Sequence, residues 1–482
     1  MVGITSYGAY IPKYRLDRGI IYKAMGWLNP ATYMPGERAV ANYDEDSISM
    51  GVAAGIDCLK GMDRKIIDGL YFATTTSPYM ERHSAGITAT ALNLSSNMRT
   101  ADFTDSLKAG TTALISACDA VKAGSAKNVM VCAADCRVPK AGSSGEELFG
   151  DGAASLMIGD SEVIATIEGS FSVSYDFPDI WRSNTDVFAH QWEDRFIRDV
   201  GYSNFIIEAI SGLAKQCKLD PKGIAKVAYP CLYPADHKKI AKILGLDPAQ
   251  IQDPMVNNMG YTGTANPLML LVGALEDAKA GDSIIVASFG NGCDALLFKV
   301  TDKIEKVKGN RRGIKKHLAT KRPLNNYEKM ISFRNILPIE KGIRGELVSY
   351  TPLSMLYRDR KEVTGLCGSK CKVCGTPQYP PQRMCVKPDC GAVNQMEEYL
   401  FSDKKGKLIS YTGDMLAFHM DPPSIYGLVD FEGGGRYAFD ITDSELESLK
   451  VGMQIEMSFR RKYVDEKNGI YGYFWKMVPA ID

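Results

Sequence analysis

Four cysteines towards the C-terminal end of the sequence have the type and spacing of metal ligands. Two residues separate Cys371 from Cys374, four separate Cys385 from Cys390, and a proline-containing loop of ten residues joins the two pairs. This arrangement is typical of a zinc ribbon, in which four thiolates surround one Zn²⁺ in a closed, structural site. A glycine follows both Cys374 and Cys390 and suits a tight turn that points backbone amides at sulfur. The sequence therefore predicts a structural zinc ion with these four ligands.

The other cysteines predict no second metal site. Cys367 precedes the two pairs, but four thiolates already complete a tetrahedral shell. The remaining seven of the twelve cysteines are scattered through the first 300 residues. Scattered cysteines of an intracellular chain are more often reduced core residues than a disulfide framework.

A second stretch whose residues could take part in catalysis is FTDSLKAGTTAL, residues 103–114. A small polar loop runs into an apolar helical segment, and the amides at such a helix N-terminus can stabilise negative charge. Ser106 offers the hydroxyl of this turn, and Leu107 follows it. A serine nucleophile needs an adjacent base. Capping preference favours the alternative that Ser106 is the N-cap of a helix starting near Lys108.

The elements that must position this turn belong to a weak internal repeat. Residues 109–134 can be laid over residues 262–289, with Gly-Thr and Lys-Ala-Gly in matching places. Each copy has the pattern of a turn, a small-residue helix, a glycine and a continuous apolar strand, as expected where helices bury both faces of a sheet. The repeat predicts an internally duplicated, layered α/β domain. Chance similarity between two ordinary helix–strand units is the alternative.

The last 80 residues have a different pattern. About five short strand-like segments alternate with turns, including a Gly433–Gly435 hairpin turn, and predict a small OB-type β-barrel. Many OB barrels bind single-stranded nucleic acid through a basic groove. This segment is instead rich in aspartate and glutamate, so nucleic-acid binding is not expected.

Bulk properties narrow the class of protein. With 482 residues the chain exceeds the ~250–300 residues at which one core stops growing. Lys plus Arg and Asp plus Glu number 57 each, so no global basic field attracts nucleic acid or a membrane surface. No apolar run reaches the ~20 residues of a membrane span. The N-terminus, MVGITSYGAYIP, lacks a signal-peptide pattern, and a cytoplasmic location is expected.

The first part of the sequence resembles the archaeal type of 3-hydroxy-3-methylglutaryl-CoA synthase, a member of the thiolase superfamily. The resemblance covers roughly residues 1–340. The segments that carry it include VGITSYGAYIPKYRL, GERAVANYDEDS, GLYFATTTSPY, ADFTDSLKAGTTAL, GSSGEELFGDGAASLMIGD, DIWRSNTDVFAHQWEDRF, GYTGTANP and VASFGNGCDA. The tail resembles the zinc-ribbon and OB-fold proteins that accompany thiolase-fold enzymes as separate subunits.

The resemblance implies an architecture and a substrate. We expect an α/β chain with a duplicated five-layer thiolase fold (αβαβα) over residues 1–345 and a linker over 346–365. A rubredoxin-like zinc ribbon over 366–395 and an OB-fold domain over 396–482 would follow. A coenzyme A thioester is the implied substrate, together with a small carbonyl compound. Because the family builds its sites at a two-fold interface, at least a homodimer is implied.

Three positions depart from the catalytic pattern of the family. The acylated cysteine of its Cys-Lys-Ala-Gly-Thr motif is Leu107 here, and its acid/base glutamate falls on Thr75. Its oxygen-orienting histidine falls on Cys231, Leu232 or Tyr233. Together these departures predict that acyl transfer in its usual covalent form is not available to this chain.

The resemblance still implies a pocket that binds a thioester. Backbone amides near Gly260 and in the turn of Gly290, Asn291 and Gly292 are expected to stabilise a thioester enolate, with Leu107 as pocket wall. A thioester enolate is the intermediate of Claisen chemistry and equally of aldol chemistry. Aldol cleavage of a 3-hydroxyacyl-CoA needs no acyl-enzyme.

Four side chains are candidates for catalysis in such a pocket. Some thiolase-fold proteins that pair with a zinc-ribbon/OB partner, the steroid side-chain aldolases, lack the cysteine and use tyrosines. Tyr261 opens the second-repeat helix and Tyr233 lies in the segment that replaces the histidine motif, although buried tyrosines with satisfied hydroxyls are common. His190 lies in a segment matched near the mouth of the family's site. Ser106 is the displaced-nucleophile candidate.

Three hypotheses follow from the sequence. The first is an acyl-CoA carbon–carbon lyase or ligase of aldol type. The second is a 3-hydroxy-3-methylglutaryl-CoA synthase-type acyltransferase, catalysing a Claisen condensation through a different nucleophile. The third is a non-catalytic scaffold that binds acyl-CoA. The first is the main prediction, because three catalytic positions are changed together.

Overall fold

The computed structural model describes residues 1–31, 33–342 and 350–481. The described chain forms two compact units. The first comprises Met1–Ala41, Ala53–Gly86 and Ser95–Met330, and the second comprises Asn42–Val52, Ile87–Leu94 and the described residues from Ile331 onwards. Two N-terminal segments therefore belong to the second unit, although the sequence-based scheme placed them in the first domain. The predicted boundary between residues 345 and 346 lies outside the described residues.

Fourteen strands are described in the first unit. They are β1 Gly3–Tyr10, β2 Tyr14–Asp17, β3 Glu37–Val40, β4 Gly69–Ala73, β5 Arg99–Phe103, β6 Val129–Asp135, β7 Gly152–Gly159, β8 Ala165–Ser174, β9 Ile180–Trp181, β10 His190–Gln191, β11 Lys226–Ala228, β12 Ser283–Ala287, β13 Gly292–Val300 and β14 Arg322–Pro323. Nine of them form one sheet in the order β11-β12-β13-β8-β1-β7-β6-β4-β5. Strands β14-β2-β3 form a small sheet, and β9 and β10 form a hairpin.

The described helices complete the layers. They are α1 Arg18–Met25, α2 Ser47–Leu59, α3 Ser84–Ala91, α4 Ala109–Lys122, α5 Ser144–Leu148, α6 Asp194–Phe196, α7 Ser203–Gln216, α8 Pro234–Ile243, α9 Asn266–Asp277, α10 Gly313–Ala319, α11 Tyr327–Phe333, α12 Leu353–Arg358 and α13 Arg360–Val363. A π-helix, Ile197–Tyr202, joins α6 to α7. The last two helices lie within the segment predicted to be a linker.

The nine-stranded sheet consists of two halves that correspond to the sequence repeat. Only β1 and β8 join them, through the pairs Gly3–Thr166 and Ile4–Ala165. Helix α4 packs on the first half, α9 packs on strands of both halves, and the two helices contact each other. Their close approach requires Gly110, because an added Cβ would lie 2.3 Å from the carbonyl oxygen of Thr264. The predicted duplicated α/β arrangement is confirmed.

The second unit contains a small three-stranded sheet and a closed barrel. Its strands are β15 Cys367–Cys371, β16 Pro377–Gln378, β17 Met396–Leu400, β18 Gly406–Asp414, β19 Ser424–Phe431, β20 Arg436–Ile441, β21 Gln454–Asp465 and β22 Ile470–Pro479. Strands β16-β15-β17 form the sheet, and β18-β19-β20-β22-β21 close into a five-stranded barrel. The Gly433–Gly435 turn joins β19 to β20 with positive φ at all three residues, which glycine adopts without strain. The predicted barrel is confirmed.

A buried group of charged side chains lies inside the second unit. Arg460 contacts Asp44 at 3.1 Å, Glu45 at 3.0 Å and Asp443 at 2.5 Å. The Nζ of Lys476 lies 2.8 Å from Asp44. We refer to these five residues as the tail ion cluster. Because each charge has an opposite partner, the cluster can fix the segment around Asp44 to the barrel despite its burial.

Candidate active site and metal centre

The turn before α4 is organised differently from the sequence prediction. The helix begins at Ala109, its N-cap residue is Lys108, and no side chain caps it. The prediction that Ser106 is the N-cap is therefore wrong, because Ser106 lies two residues before the capping position. Its Oγ donates to the carbonyl oxygen of Gly290 at 2.8 Å and accepts from the N–H of Lys108 at 3.3 Å. The hydroxyl thus ties the first repeat to the turn of the second.

Leu107 lies against that second turn. Its side chain is 6% exposed and packs in an apolar cluster with Phe149 and Phe289. An added Cβ on Gly290 would lie 2.8 Å from the backbone nitrogen of Leu107. Among the described residues, the N–H of Leu107 has no hydrogen-bond partner. An amide without a partner at a helix N-terminus is a donor available to an anionic or carbonyl oxygen.

The Gly290–Gly292 turn has the strained geometry that only certain residues tolerate. Asn291 has φ of 50° and Gly292 has φ of 119°, and the left-handed region favours asparagine and glycine. The side-chain amide of Asn291 donates to the carbonyl oxygen of Phe177 at 3.0 Å. Gly290 of this turn therefore lies beside Leu107, and Asn291 fixes the turn to Phe177.

A buried hydrogen-bond network fixes the first turn of α4 to β13. Asp294 lies 3.1 Å from the Nζ of Lys108 and accepts from the hydroxyls of Thr111 at 2.9 Å and Thr112 at 3.1 Å. The Thr111 hydroxyl also lies 2.7 Å from that of Ser288. Because Asp294 is 2% exposed, these bonds satisfy a buried carboxylate. The network was not predicted from the sequence.

Tyr261 lies in the same apolar cluster as Leu107. Its backbone N–H donates to Leu148 at 2.8 Å, and its carbonyl accepts from Gly150 at 3.0 Å. The neighbouring Gly260 has φ of 83°, and an added Cβ there would lie 2.8 Å from the nitrogen of Gly150. Burial raises the pKa of the Tyr261 phenol above its ordinary value, more than nearby positive charge lowers it. The phenol is therefore a neutral hydrogen-bonding group, not a phenolate.

Tyr233 and His190 have partners nearer the surface. The hydroxyl of Tyr233 lies 3.4 Å from the backbone oxygen and from Oδ1 of Asp194. Burial and the charge of Asp194 raise the pKa of Tyr233. The imidazole of His190 lies 3.3 Å from Asp186 and stacks on Trp181, with ring centroids 5.9 Å apart. Both contacts of His190 lie within the β9–β10 hairpin region, so its predicted role in catalysis stays a prediction.

The positions that replace the family's glutamate and histidine carry other chemistry. The N–H and hydroxyl of Thr75 donate to Asp135, at 2.8 and 3.0 Å. The same buried carboxylate accepts from Thr264 of the second repeat. Burial raises the pKa of Cys231 to about 12, so its thiol is not ionised at neutral pH. Leu232 is buried in the cluster around Leu107.

Two charged residues that the sequence reasoning missed lie beside Tyr261. Arg137 follows β6, and its guanidinium carbon lies 4.0 Å from the centroid of the Phe149 ring. Asp179 precedes β9 and accepts from the N–H of Ile180 at 2.6 Å. Burial raises the pKa of Asp179 and lowers that of Arg137. Asp179 begins the segment DIWRSNTDVFAHQWEDRF. Its spacing within that segment does not indicate a functional residue, because the residues near it in the fold are distant in the sequence.

The four predicted zinc ligands come together in the second unit. The sulfur atoms of Cys371, Cys374, Cys385 and Cys390 all lie within 4.8 Å of one another. The Cys371–Cys390 and Cys374–Cys385 sulfurs are 3.8 and 3.5 Å apart. Zn–S bonds of about 2.3 Å in a tetrahedron place sulfurs about 3.8 Å apart, so the thiols fit this ion. Gly375 and Gly391 have φ of 74° and 61°, as predicted for the turns after the cysteines.

Comparison with known proteins identifies relatives of each unit. The hydroxymethylglutaryl-CoA synthase of Methanopyrus kandleri is 30% identical over 317 residues, 64% of this chain and 90% of that protein. That of Thermococcus onnurineus is 32% identical over 314 residues, 63% of this chain and 88% of that protein. The family model of the C-terminal OB-fold domain of ChsH2 matches residues 401–460.

Solved structures identify the fold. A crystal structure of HMG-CoA synthase complexed with CoA matches with a TM-score of 0.60 at 18% identity and covers 73% of this chain and 95% of that one. The 3-oxoacyl-[acyl-carrier-protein] synthase III of Aquifex aeolicus matches with a TM-score of 0.54 at 20% identity, covering 62% of this chain and all of that one. The predicted thiolase fold is thereby confirmed. None of the helices in the described part of the chain could span a bilayer.

The match with these relatives covers about nine-tenths of their length, at 30% and 32% identity. The chain therefore belongs to the hydroxymethylglutaryl-CoA synthase family.

Proposed function

We propose that this chain is an acyl-CoA condensing enzyme that forms or cleaves the carbon–carbon bond of a 3-hydroxyacyl-CoA. The observation that carries the proposal is the N–H of Leu107, which has no partner among the described residues and lies beside Gly290. In a thioester condensation the negative charge develops on the thioester oxygen, and amides of this kind stabilise it. A solved relative is described as MvaS in complex with 3-hydroxy-3-methylglutaryl coenzyme A.

The relatives favour the synthase hypothesis over the aldolase hypothesis. These relatives are named synthases. A synthase-type condensation, in which the acyl group is first transferred from coenzyme A to a nucleophile of the protein and its enolate then adds to the carbonyl of a second compound, is therefore the first candidate. The main prediction from the sequence, aldol chemistry, is the second.

The second candidate is kept because of one observation, the side chain of Leu107. A leucine cannot carry an acyl group, and Ser106 Oγ is engaged with the carbonyl of Gly290. Burial raises the pKa of Cys231 to about 12 and that of Cys293 well above its ordinary value. No thiolate nucleophile is thus available among these groups. The acyl group would stay on coenzyme A, and the enolate would add to the carbonyl directly.

The Cys371–Cys374–Cys385–Cys390 site supports a structural role for zinc in this proposal. Four thiolates leave no open coordination position, so the ion would stabilise the fold and take no part in bond making. A homodimer, a small carbonyl co-substrate and a cytoplasmic location complete the proposal. They rest on the family resemblance and on the sequence.

Intact-protein mass spectrometry after incubation with acetyl-CoA tests the covalent step. The synthase candidate predicts one acetyl group on the natural chain, and the non-covalent candidate predicts none. Leu107→Cys, which restores a thiol at the helix N-terminus, should gain one acetyl group in either case. Leu107→Ala is the matched control without a thiol. A stable adduct on the natural chain would overturn the non-covalent candidate and support the synthase mechanism with another nucleophile.

Turnover separates an enzyme from a scaffold. Cleavage of 3-hydroxyacyl-CoA substrates and condensation of acetyl-CoA with carbonyl compounds are measured in parallel. If a phenol transfers a proton, Tyr261→Phe or Tyr233→Phe should lower kcat by about 10²–10⁴ with acyl-CoA binding retained. Absence of both activities from a chain that still binds acyl-CoA would contradict the enzyme proposal and leave the scaffold.

A further inference from the structure

Two buried side chains of opposite charge in the first unit are each incompletely hydrogen-bonded. Arg137 is 5% exposed and Asp179 is 2% exposed. Among the described residues, neither Nη1 of Arg137 nor Oδ2 of Asp179 has a hydrogen-bond partner, and no ion pair joins the two. A buried polar atom without a partner destabilises the folded state, and more so when it is charged. The two groups act electrostatically on each other and on the Tyr261 phenol, and their proximity points to a ligand that completes them.

Arg137 is connected to the residues around Leu107 through Phe149. The guanidinium of Arg137 stacks on Phe149, and a backbone bridge joins Phe149 to Tyr261. Phe149, Tyr261 and Leu107 pack in one apolar cluster. Arg137 thus contacts a ring of the apolar cluster that also contains Tyr261 and Leu107.

Asp179, which precedes β9, lies near the Gly290–Gly292 turn. Its backbone N–H and the side-chain amide of Asn291 both donate to the carbonyl oxygen of Phe177, at 3.0 Å each. This shared acceptor sets Asp179 beside the Gly290–Gly292 turn. The loop after β6 is in turn bonded to the hairpin, through the N–H of Ala189 and the carbonyl oxygen of Val138 at 3.4 Å.

The neighbouring charges do not neutralise the two groups. Asp135 influences Arg137 electrostatically, but its oxygens accept from the hydroxyls of Thr74, Thr75 and Thr264. Arg182 donates to the carbonyl oxygen of Thr75 at 2.8 Å.

We propose that Arg137 and Asp179 form a recognition subsite for the 3-hydroxyl group of an acyl-CoA. A hydroxyl satisfies both residues at once, because it donates its proton to Asp179 Oδ2 and accepts from Arg137 Nη1. A carboxylate would satisfy Arg137 but face the carboxylate of Asp179, and a methylene would satisfy neither. The inference rests on the proposed function, since the acyl group must enter this pocket. It adds the residues that distinguish a hydroxylated acyl chain from a plain one.

Binding measured by isothermal titration calorimetry tests the subsite with two probes, 3-hydroxybutyryl-CoA and butyryl-CoA. Hydrogen bonds to charged groups discriminate by about 10–100-fold, so the natural chain should bind the hydroxylated probe about that much more tightly. Asp179→Asn and Arg137→Gln should lower this preference to about 3-fold or less with butyryl-CoA affinity unchanged. Asp176→Asn is the matched control, because Asp176 is exposed on the same segment and should keep the full preference.

The outcomes distinguish the subsite from the proposed function. Equal affinity of the natural chain for the two probes would overturn the subsite, with a bound water as the partner of the two groups, while the proposed function stands. Binding of neither probe would contradict the proposed function and the subsite with it. If Arg137→Gln does not fold, as judged by its circular dichroism and melting curve, Arg137→Lys and Asp179→Asn decide, because both keep a polar group in place.

Discussion

Two groups of buried charges among the described residues differ in how completely they are paired. In the tail ion cluster, Arg460 contacts three carboxylates and Lys476 contacts Asp44 at 2.8 Å. In the first unit, Arg137 and Asp179 each keep a buried polar atom without a partner among the described residues. Both groups are removed from water to a similar degree. They differ in whether ion pairs within the protein complete the charges.

This difference separates structural charge from charge available to a ligand. Removing one partner of a complete buried pair leaves an uncompensated charge, which is strongly destabilising. Changing a group that is already incomplete removes an existing penalty instead. The comparison thus predicts that similar substitutions change the free energy of unfolding in opposite directions. The four cysteine thiols are an intermediate case, because a cation would complete their charge.

The largest effect is expected from the thiol site. Cys374→Ser should abolish stoichiometric zinc binding and unfold the ribbon, because structural Zn²⁺ contributes about 10–16 kcal/mol of binding free energy that is also folding free energy. The measurement is metal content by plasma mass spectrometry together with limited proteolysis of the tail. Cys367→Ser is the control, since Cys367 is not among the four clustered sulfurs. Zinc retained at full occupancy in Cys374→Ser would contradict the assignment.

The tail ion cluster gives the next largest effect. Arg460→Met leaves Asp44, Glu45 and Asp443 without their shared guanidinium and should lower the free energy of unfolding by about 3–5 kcal/mol. Urea denaturation followed by tryptophan fluorescence measures it. Lys462→Met, on the same strand, removes an ion pair with Asp440 whose side chains are 46% and 40% exposed. That control should change stability by about 1 kcal/mol or less, and equal losses in the two variants would contradict the structural role of the cluster.

Much of the architecture was predictable because it depends on local pattern. The cysteine spacing predicted the metal site, since knuckles of this kind are set by a few adjacent residues, and the distances between the sulfur atoms agree with it. The repeated Gly-Thr and Lys-Ala-Gly segments predicted the duplication, and α4 and α9 occupy equivalent places. About five short strand-like segments that alternate with turns, one of them a triple-glycine turn, predicted the barrel.

Pairing between distant residues could not be predicted in the same way. Asp44 lies in a segment assigned by sequence to the first domain, yet its partners Arg460 and Lys476 are more than 400 residues away. Ser106 looked like a helix cap because its partner, the carbonyl of Gly290, is 184 residues away. Asp179 carries no local signature at all. The side-chain contacts around Leu107 and Asp44 therefore follow from the fold and could not be predicted from local sequence patterns.

The pH dependence of stability should report on the complete cluster. Burial alone would raise the pKa of Asp44, but Lys476 and Arg460 overcome it and lower the pKa from 3.8 to about 2. Because the folded pKa is depressed, this stabilisation is fully present above pH 4 and is lost as pH falls towards 2, for a total of about 2 kcal/mol. Asp44→Asn should remove that part of the acid-side slope in urea unfolding measured between pH 2 and 5. An unchanged slope would contradict the pairing.

The smallest effect, and the one of opposite sign, is expected at Asp179. Burial raises its pKa, so the folded state binds the proton more tightly than the unfolded state, and the ionised carboxyl opposes folding above its ordinary range. Asp179→Asn keeps an oxygen for the N–H of Ile180 and removes the charge, so stability at pH 7 should stay equal or rise by up to about 1 kcal/mol. Differential scanning calorimetry at pH 5 and pH 8 measures the change, with the larger gain expected at pH 8. A loss of stability as large as that of Arg460→Met would mean that Asp179 is a structural charge. The distinction between the tail ion cluster and the Arg137 and Asp179 pair would then be contradicted.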